Sequence, residues 1–228
     1  MHRRPRGRGS VLRLVCVVLV SLVVVAILVT RDDPTPVIAG DSLVTQAAVW
    51  GGKVLHGTSV IASVGHDPCQ DQAKIKHAGA KRPKRLVLAY TGNAYGPTTG
   101  QALALHGVQG LGLAYAGCLR HIRESVPDRV HVVVVQALAC GPTDVHGSPV
   151  LNDYLRAATL GGTYPSGERV APMRNASYST AVDDRMTPGH RFRDRDEGGV
   201  LRSDDQVHLT VHGATVYAAV LTGLANGP

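Results

Sequence analysis

A three-layer α/β domain with a mostly parallel sheet, preceded by an N-terminal transmembrane helix, is the architecture this 228-residue chain predicts. Three observations carry that expectation. "RLVLAYTGN" (85–93) and "RVHVVVVQALA" (129–139) are continuous apolar runs, the pattern of strands covered on both faces. Such runs alternate along the chain with helical patterns. Finally, residues 14–29 carry no charge and follow a cluster of arginines.

The elements follow in order. Arg3, Arg4, Arg6, Arg8 and Arg13 form a basic tail over residues 1–13. Residues 14–30 read as an uncleaved signal anchor. The positive flank stays cytoplasmic, so the rest is exported; secretion after signal cleavage is the alternative. "RDDPTP" (31–36) is a stiff linker, and residues 37–228 form one domain of ordinary size. In it, "VIAG" (37–40) is a short strand and "SLVTQAAVW" (42–50) a helix. "GTSVIASVG" (57–65) is a second strand leading into a loop with Pro and Cys. Residues 85–93 give the third strand. "LAYAGCLRHIRESV" (113–126) is a helix with Leu113, Ala116, Leu119, Ile122 and Val126 on one face. Residues 129–139 give the next strand and "VLNDYLRAAT" (150–159) a helix. Residues 160–204 are polar and rich in Gly and Pro, with no element assigned. "TVHGATVYAAVLTGLA" (210–225) is a closing helix.

Charge and cysteine usage narrow the function. With five of the 24 Lys and Arg in the first 13 residues, the rest of the chain holds 19 basic against 17 acidic side chains. No nucleic-acid face is implied for the folded part. "KRPKR" (81–85) reads as a solvated turn before a strand. Cys69, Cys118 and Cys140 lie in the exported part, where a disulfide is permitted. One bridge with one spare thiol is the simplest arrangement, and the pairing stays open. Trp50 and the tyrosines read as packing residues; with only one Trp, one Phe and seven Tyr there is no obvious stacking platform for sugars, and a short acyl chain is the preferred expectation.

Sites in parallel sheets form at the carboxyl ends of strands. Ser42, Gly65 and Asn93 all fall there. A serine hydroxyl needs a base, an acid that orients the base, and donors for the oxyanion. "SDDQVH" (203–208) offers His208 as base and Asp205, three residues earlier, as orienting acid. The donors would be the Ser42 N–H at a helix start, the Gly65 N–H and the Asn93 amide. Ser42 as a mere helix cap is the competing reading. Asp41 reads as a brace for the turn, and His66 as a loop histidine.

"GDSL" (40–43), Gly65 in "SVGHDPC", "TGNA" (91–94) and "DQVH" (205–208) occur in the order of the four blocks of the SGNH (GDSL-type) hydrolase superfamily, which the chain resembles. In particular, "GDSL", a loop Cys soon after the second strand and a strand ending "TGNA" resemble the extracytoplasmic SGNH domains of actinobacterial envelope proteins. The third block departs from the usual Gly-x-Asn-Asp: Gly92 directly precedes Asn93, and Ala94 replaces the Asp. The resemblance implies a flavodoxin-like sandwich and acyl-ester chemistry, with Ser42, His208 and Asp205 as triad and Ser42, Gly65 and Asn93 as oxyanion hole. It implies no cofactor. It implies an acyl ester or acylated glycan as substrate, hydrolysis or transfer to a sugar hydroxyl, and a membrane acyltransferase as partner. Two rival expectations stand beside it. One is an inactive envelope protein that keeps the sandwich to bind glycan or a membrane partner. The other is a metal hydrolase with His208 and His212 on one helical face.

Overall fold

The computed structural model describes residues 34–138, 148–186, 195–196, 199–203 and 208–227. The tail at 1–13, the anchor at 14–30, Cys140 and Asp205 lie outside the described residues.

Five strands run parallel in one sheet: β1 (Val37–Gly40), β2 (Ser59–Ala62), β3 (Arg85–Ala89), β4 (His131–Val135) and β7 (Ala176–Ser179), in the order β2-β1-β3-β4-β7. The register sets Gly40 beside Ala62 on one side and Ala89 on the other. In this order the chain direction across the sheet reverses between β1 and β3, which is where sites form in such folds.

Alternation along the strands builds two cores. Val37, Ala39, Leu86, Leu88, Val132 and Val134 face one layer. Ile38, Val87, Ala89, Val133 and Val135 face the other. The first layer contains α2 (Pro68–Ala80), α3 (Pro97–Ser125) and α4 (Pro149–Leu160). The second contains α1 (Ser42–Trp50), α5 (Ala181–Met186) and α6 (Val211–Asn226). Both faces of the sheet are therefore covered, which is why its strands read as unbroken apolar runs.

The structure revises several expectations. The strands are shorter than the apolar runs, because the last residues of each run leave the sheet to build loops. The loop expected after β2 contains α2. Its start was written in "HDPCQ": Pro68 opens the helix, and Asp67 and Gln70 form a capping box. The helix expected at 113–126 is only the second half of α3, which continues across a non-helical Gly107. By length and composition α3 could cross a membrane, but Leu111, Tyr115, Leu119 and Ile122 build it into the core. The fifth strand, β7, lies in the polar stretch left unassigned. Its "ASYS" is only half-buried, so it lacks the apolar run that marks β3 and β4. The same stretch holds two small hairpins, β5 (Gly162–Thr163) with β6 (Arg169–Val170), and β8 (Arg195–Asp196) with β9 (Gly199–Val200).

Cys69 and Cys118 form a disulfide that ties the first turn of α2 to α3. It closes a sequence separation of 49 residues. Loop entropy then implies about 4 kcal/mol of stabilisation as an upper figure. Replacing both cysteines with serine should lower the unfolding free energy by about 2–4 kcal/mol in urea titrations. An unchanged midpoint would show that α2 and α3 hold each other without the bridge.

Candidate functional site

The carboxyl ends of β1, β2 and β3 lead into three loops, and one buried carboxylate joins two of them. Asp41 follows β1 and is fully buried. Its Oδ1 accepts the Leu43 N–H at 3.1 Å, which caps α1. Its Oδ2 accepts both the backbone N–H and the hydroxyl of Thr91, at 2.7 and 2.6 Å, in the loop after β3. The chain must pass close here: a Cβ on Gly40 would lie 2.3 Å from the Ala89 carbonyl oxygen.

The capping position is therefore Asp41, and Ser42 is the first residue of α1. Its N–H has no carbonyl one turn back to donate to. Ser42 keeps 9% of its surface exposed. Its hydroxyl has no capping role, which removes the main structural explanation for a serine here. Gly65 sits in the turn after β2 with φ +74, a backbone that glycine adopts without cost. Asn93 is 6% exposed, and its Nδ2 donates to the His66 carbonyl at 3.4 Å, which links the loops after β2 and β3. The Tyr115 hydroxyl donates to the Asn93 carbonyl at 2.7 Å and fixes the backbone there. The departure from the usual third block thus leaves Asn93 held on both sides, with Gly92 before it at φ +111.

His208 is tied to the segment before it and, through its neighbour Leu209, to α1. Ser203 N–H and Oγ–H both donate to the His208 carbonyl, at 2.9 and 3.1 Å, and Arg202 bridges Leu209 in antiparallel fashion. Leu209 N–H donates to Gln46 Oε1 at 3.0 Å. Gln46 is one turn beyond Ser42 on α1, so its side chain shares Ser42's side of the helix. Among the described residues, Ser42 Oγ makes no hydrogen bond to His208 or to any other group. α6 begins at Val211 with Thr210 as cap, so His208 precedes the helix. The expectation of His208 and His212 on one helical face fails for that reason.

Sequence reasoning missed a second polar cluster beside Gly65. Asp71, fully buried on α2, accepts His66 Nδ1 at 3.0 Å, Lys74 Nζ at 3.2 Å and the Tyr90 hydroxyl at 3.1 Å. Burial first, and then the Asp71 carboxylate, push the Tyr90 hydroxyl well above the ordinary tyrosine range. Tyr95 was also misread: it is 78% exposed, against the expectation that the tyrosines pack, and Trp50 is partly exposed too. Asp71 and Tyr90 carry no motif, since each looks like an ordinary helix or strand-end residue until the fold joins them.

The sheet runs parallel in the doubly wound order β2-β1-β3-β4-β7, with Ser42, Gly65 and Asn93 on the loops after β1, β2 and β3. Two solved structures are similar to this fold. The C-terminal catalytic domain of the Streptococcus pneumoniae peptidoglycan O-acetyltransferase OatA, with a methylsulfonyl adduct, matches at 15% identity and TM-score 0.47, over 86% of this chain and 92% of that one. A Streptococcus pneumoniae protein described as a platelet activating factor matches at 12% identity and TM-score 0.50, over 85% of this chain and 84% of that one. No family model and no curated protein matches the sequence.

Two outcomes test this geometry. Asp41→Ala removes the α1 cap and leaves buried Thr91 donors unmet, and should cost about 2–4 kcal/mol in urea unfolding. A loss under about 0.5 kcal/mol, the range of an ordinary surface change, would mean the two loops do not depend on the carboxylate. For Tyr90, the folded state holds the phenolic proton more tightly than the unfolded chain, which releases it near pH 10. The stability this contributes is complete below that pH and is lost as pH rises above it. Tyr90→Phe should therefore show a shallower alkaline decline in unfolding midpoint than the parent protein.

Proposed function

We propose that this chain is a serine esterase or acyltransferase that opens acyl esters at the outer face of the cell envelope. One observation carries the reading. Ser42 opens α1 with the capping role already taken by Asp41, on a loop joined through Thr91 to the one that holds Asn93, which in turn bonds the loop of Gly65. Ser42 Oγ attacks the acyl carbonyl carbon. His208 takes the hydroxyl proton and returns it to the leaving alcohol. Asp205, three residues before His208 in sequence, holds the imidazole in the tautomer this needs. The negative charge on the carbonyl oxygen is received by the Ser42 N–H, the Gly65 N–H and the Asn93 amide. The acyl-enzyme then passes its acyl group to water or to a sugar hydroxyl. The reaction uses no cofactor.

The N-terminal anchor would hold the domain at the membrane, beside a membrane acyltransferase that supplies or receives the acyl group. The Cys69–Cys118 disulfide is compatible with an extracytoplasmic site. The hydrogen bond between serine and base forms on substrate binding, as in sites where it is long without a ligand.

The test is fluorophosphonate labelling of the full chain in a detergent without sugar, read by intact mass and peptide mapping. A single adduct on Ser42, lost in Ser42→Ala and in His208→Ala, is expected. Hydrolysis of a simple ester should fall on the order of 10³-fold or more in either variant, and about 10²–10³-fold in kcat for Asn93→Ala. A folded protein without an adduct would sink the proposal and favour an inactive domain that binds glycan.

A further inference from the structure

We propose that Tyr95, Val64 and His66 form a subsite for the alcohol half of the ester, shaped for a saturated ring bearing hydroxyls, such as a pyranose. The proposal rests on the reading of Ser42 as nucleophile. Large apolar side chains at the carboxyl end of the sheet should be covered, yet Val64 is 70% and Tyr95 78% exposed. They stand on the two loops that hold Gly65 and Asn93. Tyr95 also packs its ring against the Gly65 turn, next to Val64 in sequence: a Cβ on Gly65 would be 3.4 Å from Tyr95 Cδ2. The exposed ring is therefore backed by the loop that carries an oxyanion donor.

His66 supplies the polar part. Its side chain is 34% exposed, and its Nδ1 is held at 3.0 Å by Asp71. Asp71 is fully buried and is itself fixed by Tyr90 and Lys74. With Nδ1 engaged by that carboxylate, Nε2 is the ring nitrogen left to hydrogen-bond a ligand hydroxyl. The imidazole orientation is thus set by the protein and its second nitrogen is left for a ligand.

An exposed aromatic ring beside a held imidazole suits a sugar, whose hydroxyls both donate and accept, better than an acyl chain. A pyranose has an apolar C–H face and a hydroxyl edge, and it needs one apolar wall with a polar neighbour. An acyl chain gains by losing water on all sides, and a ring as exposed as Tyr95 covers only one. The sequence suggested no stacking surface because a single tyrosine in "NAYG" carries no sign of exposure.

The experiment compares two acetate esters on the full chain in a detergent without sugar. One is methyl 6-O-acetyl-β-glucopyranoside, and the other is ethyl acetate, with the same acyl group and no ring. Acetate release should show the KM for the sugar ester rising about tenfold in Tyr95→Ala, with ethyl acetate hydrolysis and fluorophosphonate labelling unchanged. Tyr95→Phe, which keeps the face, should restore the KM. In parallel, Ser42→Ala is titrated with the sugar ester by NMR, and adding Tyr95→Ala should weaken that binding similarly. Equal losses on both esters, or an unchanged sugar KM and binding, would overturn the subsite. So would a Tyr95→Ala effect seen only on ethyl octanoate, which would assign the shelf to the acyl chain. If Ser42 fails to label while sugar binding still depends on Tyr95, the nucleophile reading falls and the subsite stands.

Discussion

The Asp41 carboxylate is the interaction on which the rest of the site depends. One oxygen caps α1 and the other holds Thr91 by two hydrogen bonds. The first fixes the entry of the helix that carries Ser42, and the second fixes the exit of the strand that leads to Asn93. Without a common acceptor, the loops after β1 and β3 would meet only through strand pairing, which ends at Gly40 and Ala89. A buried carboxylate with such donors is costly to disturb, because each lost partner leaves a polar group dry. Its presence also changes what Ser42 is. A serine at a helix start ordinarily spends its hydroxyl on the first turn; here the residue before it has done so.

Asp67 repeats the design one loop further on. Its Oδ1 accepts the N–H groups of Cys69 and Gln70 at the start of α2, and its Oδ2 accepts the Thr99 hydroxyl at the start of α3. The disulfide then joins the same two helices. The loop of Gly65 and His66 is thus held between two buried aspartates, Asp67 by sequence and Asp71 through the His66 ring. Preorganised donors are what an oxyanion site requires, since they act without rearranging during the reaction. Much of the buried polar chemistry around the carboxyl end of the sheet holds loops still.

The sheet was legible where burial was two-sided. β3 and β4 carry apolar runs that only a covered parallel strand explains, and the alternation with α1, α4 and α6 followed. β7 was invisible because "ASYS" is half-buried and polar, and its place depends on β4 pairing with it rather than on its own pattern. Local cues were missed at α2, where a capping box was present but read as a loop. For the candidate site, the placing of Ser42, Gly65 and Asn93 on loops after β1, β2 and β3 was legible, because each follows a short apolar run. Their supports were not. Thr91, Asp71 and Tyr90 matter only through partners 19 to 50 residues away, and no local pattern records such a pairing. Tyr95 was misread for a related reason, since exposure is decided by what the fold leaves uncovered.

Three buried carboxylates, Asp41, Asp67 and Asp71, lie around the loops of the proposed oxyanion site, and uncompensated charge there would oppose the proposed chemistry. The hydrogen bonding explains why they need not. Asp41 and Asp67 each sit at a helix N-terminus, where the helix dipole and free N–H groups favour negative charge. Asp71 is met by Lys74 and by the Tyr90 and His66 donors. Each charge is thus answered by donors directed at it. The Ser42 N–H is left out of this arrangement, because Asp41 takes the Leu43 N–H instead. The α1 terminus therefore keeps one donor and part of its dipole for an anion arriving beside Ser42. The same carboxylate that consumes the capping role leaves that donor available, so the cap and the candidate oxyanion site are two consequences of one placement.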